Sequence, residues 1–254
     1  MPGRIDNVSD PTLAGALRLM RSGQAYWARR LNELPDDAFD GRSSLPGWTR
    51  RHLIAHVGFN ARAVARLVEW ARTGAENPMY TSDTQRAEEI AFGATLPTEA
   101  LRNLCAHAAV HLNVEWRDLP EAAWSYPVRT AQGRTVPASE TVWMRTREVW
   151  IHAVDLRNGG SVGDFPPELH DLLLEDLPRV WRRKRKPGDR DVILEPTDRS
   201  RSFRILEGGE HDTTAAPLVV RGPASDLVAW GIGRPAGRVV TEAGDPASAA
   251  PQWL

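Results

Sequence analysis

The fold is organised around residues 137–159, PASETVWMRTREVWIHAVDLRNG. Glu148 and His152 are four positions apart, so in a helix both side chains leave the same face. Arg145 and Asp155 extend this polar row by one turn at either end. Most other positions are apolar, which predicts a buried helix. Buried charges need partners, and a salt-bridge network with a hydrogen-bonded histidine is one arrangement that would supply them.

Composition limits the class of protein. The chain has 254 residues, of which 41% are hydrophobic and 26% charged, as expected for a soluble globular protein of one or two domains. A net charge of -1 argues against a dedicated nucleic-acid binder. The single cysteine, Cys105, excludes an intramolecular disulfide and fits a reducing cytoplasm. With no apolar run near the roughly 20 residues of a membrane span, we expect a cytoplasmic protein without membrane or nucleic-acid partners.

Helical periodicity dominates the first 160 residues. Asp10 and Pro11 are typical of a helix start, and apolar residues then recur at helical spacing. A long connection, residues 77–97, contains a shorter helix and is of a length that usually has a function of its own. Long helices in up-and-down order predict a bundle, and bundles can hold metal sites on facing helices. The four long helices are predicted over residues 11–34, 49–74, 98–120 and 137–159.

The pattern changes after residue 160. A further helix, residues 167–182, is followed by short β-like runs and one more helix. We therefore predict an α+β protein with a helical bundle over residues 1–165 and a small α+β domain over 166–254. The predicted β-like runs are residues 191–194, 202–206, 217–221 and 238–241, and the helix among them is 224–232.

The second helix adds a histidine to the pair on the fourth. His52 and His56 are again four positions apart, but His52 lies in the first turn, where histidines are often exposed, whereas His56 lies one turn deeper. His56, Glu148 and His152 together are the ligand set of a catalytic zinc with an open fourth position. The same set can bind non-haem Fe(II), and a hydrogen-bonded core histidine is the simpler interpretation of His56. Spacing does not choose among these.

Three segments make the chain resemble the mycothiol-dependent maleylpyruvate isomerase family. They are GWTRRHLIAHVGFNARAVARLVEWARTG, NPMYTSDTQRAEEIAFGATLPTEALRNL and TAQGRTVPASETVWMRTREVWIHAVDL, within residues 45–160. The C-terminal PLVVRGPASDLVAWGIGR and PQWL fit more loosely. The resemblance implies a DinB-like four-helix bundle with a three-ligand metal site, followed by a small sterol-carrier-like domain.

The resemblance also implies residue roles. The metal ligands correspond to His56, Glu148 and His152, and an arginine that matters for activity corresponds best to Arg234, with Arg238 close by. His52 matches a histidine that is not assigned to the metal.

The activity implied is the conversion of maleylpyruvate to fumarylpyruvate in gentisate degradation. A thiol adds to the conjugated double bond, the resulting single bond rotates, and the thiol leaves. Zinc would bind the mycothiol sulfur as a thiolate. Borrowing a thiol suits a chain whose only cysteine, Cys105, lies on an apolar helix face and is expected to be a buried hydrophobe.

The substrate is a dianion, so arginines should line its pocket. Arg234 is the first candidate, followed by Arg145 and Arg86, while Asp155 is expected to orient a metal-bound imidazole. We expect a monomer whose partners are maleylpyruvate and mycothiol. Two alternatives stay open: a mycothiol S-transferase that conjugates electrophiles, and a non-catalytic metal-binding regulatory protein.

Overall fold

The structure is a computed structural model that describes residues 6–184, 190–204 and 216–253. It divides into two compact units, Met1–Gly160 and Ser161–Leu254. The first unit is helical, and the second combines helices with a small sheet. The predicted α+β class, with a bundle followed by a small α+β part, is thereby confirmed. Within the described ranges, no helix is long and apolar enough to cross a membrane.

In its described residues, the first unit contains five α-helices and a short hairpin. The connection predicted over residues 77–97 contains α3, and the predicted helix over 137–159 is shorter than expected because Pro137 still belongs to a strand. The elements are α1 (Pro11–Asn32), α2 (Arg50–Thr73), α3 (Gln85–Ala94), α4 (Thr98–Asp118), β1 (Pro127–Arg129), β2 (Thr135–Pro137) and α5 (Glu140–Asp155).

Local chemistry fixes the ends of these helices. The Asp10 carboxylate accepts a hydrogen bond from the Thr12 N–H at 2.8 Å, with Pro11 at the first helical position. Helix α2 ends at Gly74, whose φ of 74° lies in the left-handed region that glycine adopts without strain. Thr49 precedes α2, but its hydroxyl bonds to His52 Nδ1 at 2.8 Å instead of capping the backbone.

The four long helices pack as a bundle in which α2 contacts both α4 and α5, and α1 contacts α5. On the α4 side the Leu104 side chain packs directly against Gly58: a Cβ added to Gly58 would lie 2.7 Å from Leu104 Cγ. On the α5 side, Arg50 at the start of α2 donates hydrogen bonds to the carbonyls of Leu156 at 2.6 Å and Arg157 at 3.0 Å. These bonds set the position of the end of α5 relative to the start of α2.

In its described residues, the second unit contains two α-helices and a three-stranded sheet. Strands β3 and β4 are parallel, β4 and β5 are antiparallel, and α7 connects β4 to β5. The predicted strand over residues 202–206 lies partly outside the described residues; the structure shows Phe203 bridged to Leu194. The elements are α6 (Pro167–Lys184), β3 (Val192–Pro196), β4 (Leu218–Gly222), α7 (Ala224–Gly231) and β5 (Val240–Thr241).

Candidate metal centre

The polar residues of α2 and α5 meet at one point inside the bundle. The Nε2 atom of His56 lies 3.0 Å from Glu148 Oε2, and the Nε2 atom of His152 lies 3.1 Å from the same oxygen. One ligand atom from each residue falls within 4.8 Å of the others. The structure therefore brings together the three residues that the spacing had singled out on two different helices.

The cluster is buried but not sealed. His56 is 4% exposed, while the side chains of His152 and Glu148 are 13% and 23% exposed. The ring of Trp48, in the loop before α2, meets the His56 ring edge-on with the centroids 5.4 Å apart. One side of the cluster is thus closed by an aromatic wall, and Glu148 retains access to solvent.

Hydrogen bonding fixes the tautomer of His152. Its Nδ1 lies 2.8 Å from Asp155 Oδ2, and Asp155 is fully buried. Because Nδ1 carries the hydrogen in this pair, Nε2 presents its lone pair to the carboxylate of Glu148. That contact requires a proton or a cation between the two atoms.

The pKa shifts agree with this geometry. Burial opposes the charge on His152, yet its hydrogen bonds to Asp155 and Glu148 raise the pKa of His152 to about 9. Burial also opposes the charge on Glu148, but the two imidazoles hold the pKa of Glu148 well below its usual value. Burial lowers the pKa of His56 in spite of the nearby carboxylate. The site thus keeps an ionised carboxylate between two imidazoles, which are the donor types that zinc prefers.

The charge count also favours a cation. A metal ion binds imidazoles in their neutral form, and without the proton on His152 the buried carboxylates of Glu148 and Asp155 outnumber the buried guanidinium of Arg145. A divalent cation among His56, Glu148 and His152 would reverse this excess of negative charge, and buried charges need such compensation. The three residues therefore fit a metal ion both by donor type and by charge.

Arg145 does not face a substrate pocket, contrary to the sequence-based expectation. It is 1% exposed, and its guanidinium donates hydrogen bonds to the Val57 carbonyl at 2.8 Å, Asn60 Oδ1 at 2.9 Å and Gln24 Oε1 at 3.1 Å. The long side chain points into the bundle because the acceptors on α1 and α2 lie there. Arg145 is a buried link between α5 and α2.

Cys105 is buried, as predicted. Its Sγ donates to the Ile54 carbonyl at 3.3 Å, and burial raises the pKa of the thiol to about 12. The only cysteine of the chain is therefore held as a neutral thiol within the α2–α4 contact. A reaction that needs a thiolate would have to obtain it from another molecule.

Two further predicted residues make contacts within their own units. His52 bonds to Thr49 and contributes no ligand atom to the group formed by His56, Glu148 and His152. Arg234 lies in the second unit just after α7, where its guanidinium donates to the Ile232 carbonyl at 2.7 Å. Its role stays a prediction.

Sequence reasoning missed Trp48 as a wall of the site. Trp48 lies in a polar loop with no periodic pattern, so nothing in its neighbourhood placed it against His56. The available signal was the count of ten tryptophans, which is high for a chain of this length and typical of lined cavities.

A family model and two solved structures match the chain. Residues 20–157 match the family model described as the mycothiol maleylpyruvate isomerase N-terminal domain. A crystal structure of the mycothiol-dependent maleylpyruvate isomerase is 41% identical, with a TM-score of 0.86, and the match covers 95% of this chain and 97% of that one. A histidine-to-alanine mutant of that enzyme gives the same identity and coverage with a TM-score of 0.85. No curated protein matches the chain significantly.

The family model matches more than half of the chain, and the two solved structures resemble it over nearly its whole length. Both structures are of an enzyme. The chain belongs to the mycothiol-dependent maleylpyruvate isomerase family.

Proposed function

We propose that the chain is a mycothiol-dependent isomerase that converts maleylpyruvate to fumarylpyruvate, the cis–trans isomerisation of gentisate degradation. The observation that carries the proposal is the convergence of His56 Nε2 and His152 Nε2 on the Glu148 carboxylate. The chain that carries this site is also 41% identical to an enzyme named for this reaction, and the match covers 95% of the chain.

In this proposal His56, Glu148 and His152 hold a zinc ion and leave its fourth position open. Zinc bound there would hold the mycothiol sulfur as a thiolate, the nucleophile needed for reversible addition to the conjugated double bond. The chain itself offers no substitute, because Cys105 is buried and neutral.

The surrounding residues orient the ligands. Asp155 accepts the Nδ1 hydrogen of His152 and so aims the Nε2 lone pair at the ligand position. Arg145 ties α5 to the backbone of α2 at Val57, one residue after His56. Arg50 makes the corresponding link at the end of α5 through Leu156. Together they hold both ligand-bearing helices at a fixed separation.

The proposal extends to the domains, the compartment and the oligomeric state of the chain. We keep the assignment of residues 1–165 to the metal-binding bundle and 166–254 to the smaller domain, and of Arg234 to substrate binding. A reducing cytoplasm suits both a single free cysteine and the use of a small thiol, and we expect a monomer.

The metal assignment is tested by substituting Glu148→Gln and measuring zinc in the purified protein by elemental analysis. We expect most of the zinc to be lost, because the amide supplies no charge to the site. Glu140→Gln is the matched control, since Glu140 is a carboxylate of the same helix that pairs instead with Arg134. Retention of about one zinc per chain in Glu148→Gln would refute the ligand assignment.

The thiol dependence is tested by the turnover of maleylpyruvate with zinc-loaded protein. We expect a rate that depends on mycothiol, a trans product, and no net consumption of the thiol. Full activity without any small thiol would refute the borrowed-thiol mechanism. Net consumption of the thiol would instead identify a mycothiol S-transferase.

A further inference from the structure

One arginine near the metal centre makes no hydrogen bond or ion pair with any residue that the structure describes. Arg86 lies in the first turn of α3, exposed, with Cζ 6.0 Å from the centroid of the Trp48 ring. The Trp48 ring in turn meets the His56 ring. Arg86 is therefore separated from a proposed zinc ligand by a single aromatic side chain.

Its neighbours use their guanidinium groups to hold the fold. Arg51 donates to the Asp40 carboxylate at 2.6 Å and to the Leu96 carbonyl at 2.7 Å. Arg66 donates from Nε to the Met79 carbonyl at 3.0 Å. Throughout the described part of the chain, Arg86 has no carboxylate or carbonyl to bind; its one contact is the face of Trp48. Its five N–H donors are left for a ligand.

The segment that carries Arg86 is fastened to α2, the helix of His56. Arg66 fastens its start at Met79, and Arg51 fastens its end at Leu96. Between these points α3 packs closely on α2: a Cβ added to Gly93 would lie 2.5 Å from Ala55 Cβ. The position of Arg86 relative to His56 is therefore set by contacts and does not depend on a free loop.

Electrostatics agree that Arg86 belongs to the site. Burial raises the pKa of Tyr80, and Arg86 opposes that shift while Glu148 adds to it. Arg86, Tyr80 and the metal cluster thus share one electrostatic environment.

We propose that Arg86 binds one carboxylate of the dianionic substrate and determines the preference of the site for dicarboxylates. The proposal rests on the function proposed above. A guanidinium and a carboxylate form charge-assisted, often bidentate hydrogen bonds. The dianionic substrate supplies such a carboxylate. Trp48 packs against one side of the planar guanidinium. Because this contact already restricts the Arg86 side chain, less conformational entropy is lost when the substrate binds.

The test compares Arg86→Gln and Arg86→Lys with the parent protein, all loaded with zinc. For Arg86→Gln we expect KM for maleylpyruvate to rise about tenfold, equivalent to about 1.4 kcal/mol. We expect kcat, KM for mycothiol and zinc content to stay within about twofold. Arg86→Lys should recover part of the loss, because it keeps the charge without the bidentate geometry.

Arg62→Gln is the matched control. Arg62 is also an exposed arginine of the first unit that lies over an aromatic ring, with Cζ 5.5 Å from the Phe59 centroid. We expect it to leave every parameter unchanged. A rise in KM for maleylpyruvate of less than threefold in Arg86→Gln, or an equal rise in Arg62→Gln, would overturn the proposal.

A binding measurement separates this proposal from the proposed function. The saturated analogue of maleylpyruvate lacks the double bond and cannot isomerise, so its affinity can be measured by calorimetry even if the parent protein shows no turnover. We expect the affinity to fall in Arg86→Gln by the same factor as KM rises. No binding to the parent, or equal binding to parent and variant, would refute the role of Arg86. Absence of turnover with Arg86-dependent binding would refute only the reaction.

Discussion

Helix α2 makes two contacts of opposite character. Towards α4 it presents Gly58, which lies against Leu104 and Cys105. Towards α5 it presents His56, which meets a buried row of charged side chains. The first contact is close and apolar, so its stability comes from burial and packing. The second contact buries charged groups, and the cost of removing them from water is offset only if every group has a partner. Buried charged groups of this kind are common at functional sites.

The largest effect should follow from removing the buried cation of the α5 side. We expect Arg145→Met to reduce the free energy of unfolding by about 4 kcal/mol, since it leaves Asn60 Oδ1 and Gln24 Oε1 without this donor and the buried carboxylates unbalanced. Urea unfolding of metal-free protein measures this. A loss below about 1 kcal/mol would mean that Arg145 contributes little to the contact.

The α4 side should respond to volume instead. We expect Leu104→Ala to cost about 3 kcal/mol by leaving a cavity beside Gly58, with zinc content unchanged. Gly58→Ala in that background should restore part of the loss, because its Cβ would occupy the space where Leu104 Cγ lies and alanine favours the helix by about 1 kcal/mol. Additive losses in the double variant would show that the two positions do not share that space.

A smaller effect, confined to the metal, is expected at Asp155. Asp155→Asn keeps the size of the side chain but removes the charge that supports His152, so we expect zinc affinity to fall about 10–100-fold. Competition with a chelator measures it. Unchanged affinity would show that the contact between His152 Nδ1 and Asp155 does not tune the site.

The smallest effect should come from Cys105. Because burial raises the pKa of its thiol to about 12, the thiol stays neutral between pH 7 and 9. We expect iodoacetamide to leave the native protein unmodified over that range, whereas urea-unfolded protein reacts faster as pH rises. Cys105→Ala should keep mycothiol-dependent activity. Loss of that activity in a folded variant would give Cys105 a role in the reaction.

The difference between the two contacts also explains which parts of the site were predictable. Glu148 and His152 were found because a spacing of four residues places side chains on one helix face whatever the helix packs against. His56 was found because it lies beside an apolar stripe. The direction of Arg145 was not predictable: a long side chain at the edge of a polar row can point to the site or into the bundle, and the acceptors that decide lie on α1 and α2.

The positions of Trp48 and Arg86 were not predictable either. Both lie in or next to irregular segments, where no period fixes a facing direction. Only the tertiary structure brings Arg86 over Trp48 and Trp48 against His56. The length of the connection over residues 77–97 indicated a function, but not which of its residues carries it.

The sequence alone determined the helical order, the change to mixed structure after residue 160 and the three candidate ligands, because periodicity and local spacing are properties of the chain itself. Tertiary structure alone decided that one atom from each of the three candidate ligands lies within 4.8 Å of the others, and that Arg145 is buried while Arg86 is exposed. Those outcomes depend on distances between residues far apart in sequence, and helix packing sets such distances. The physical reason is that a charge can be buried only where the fold supplies its partner.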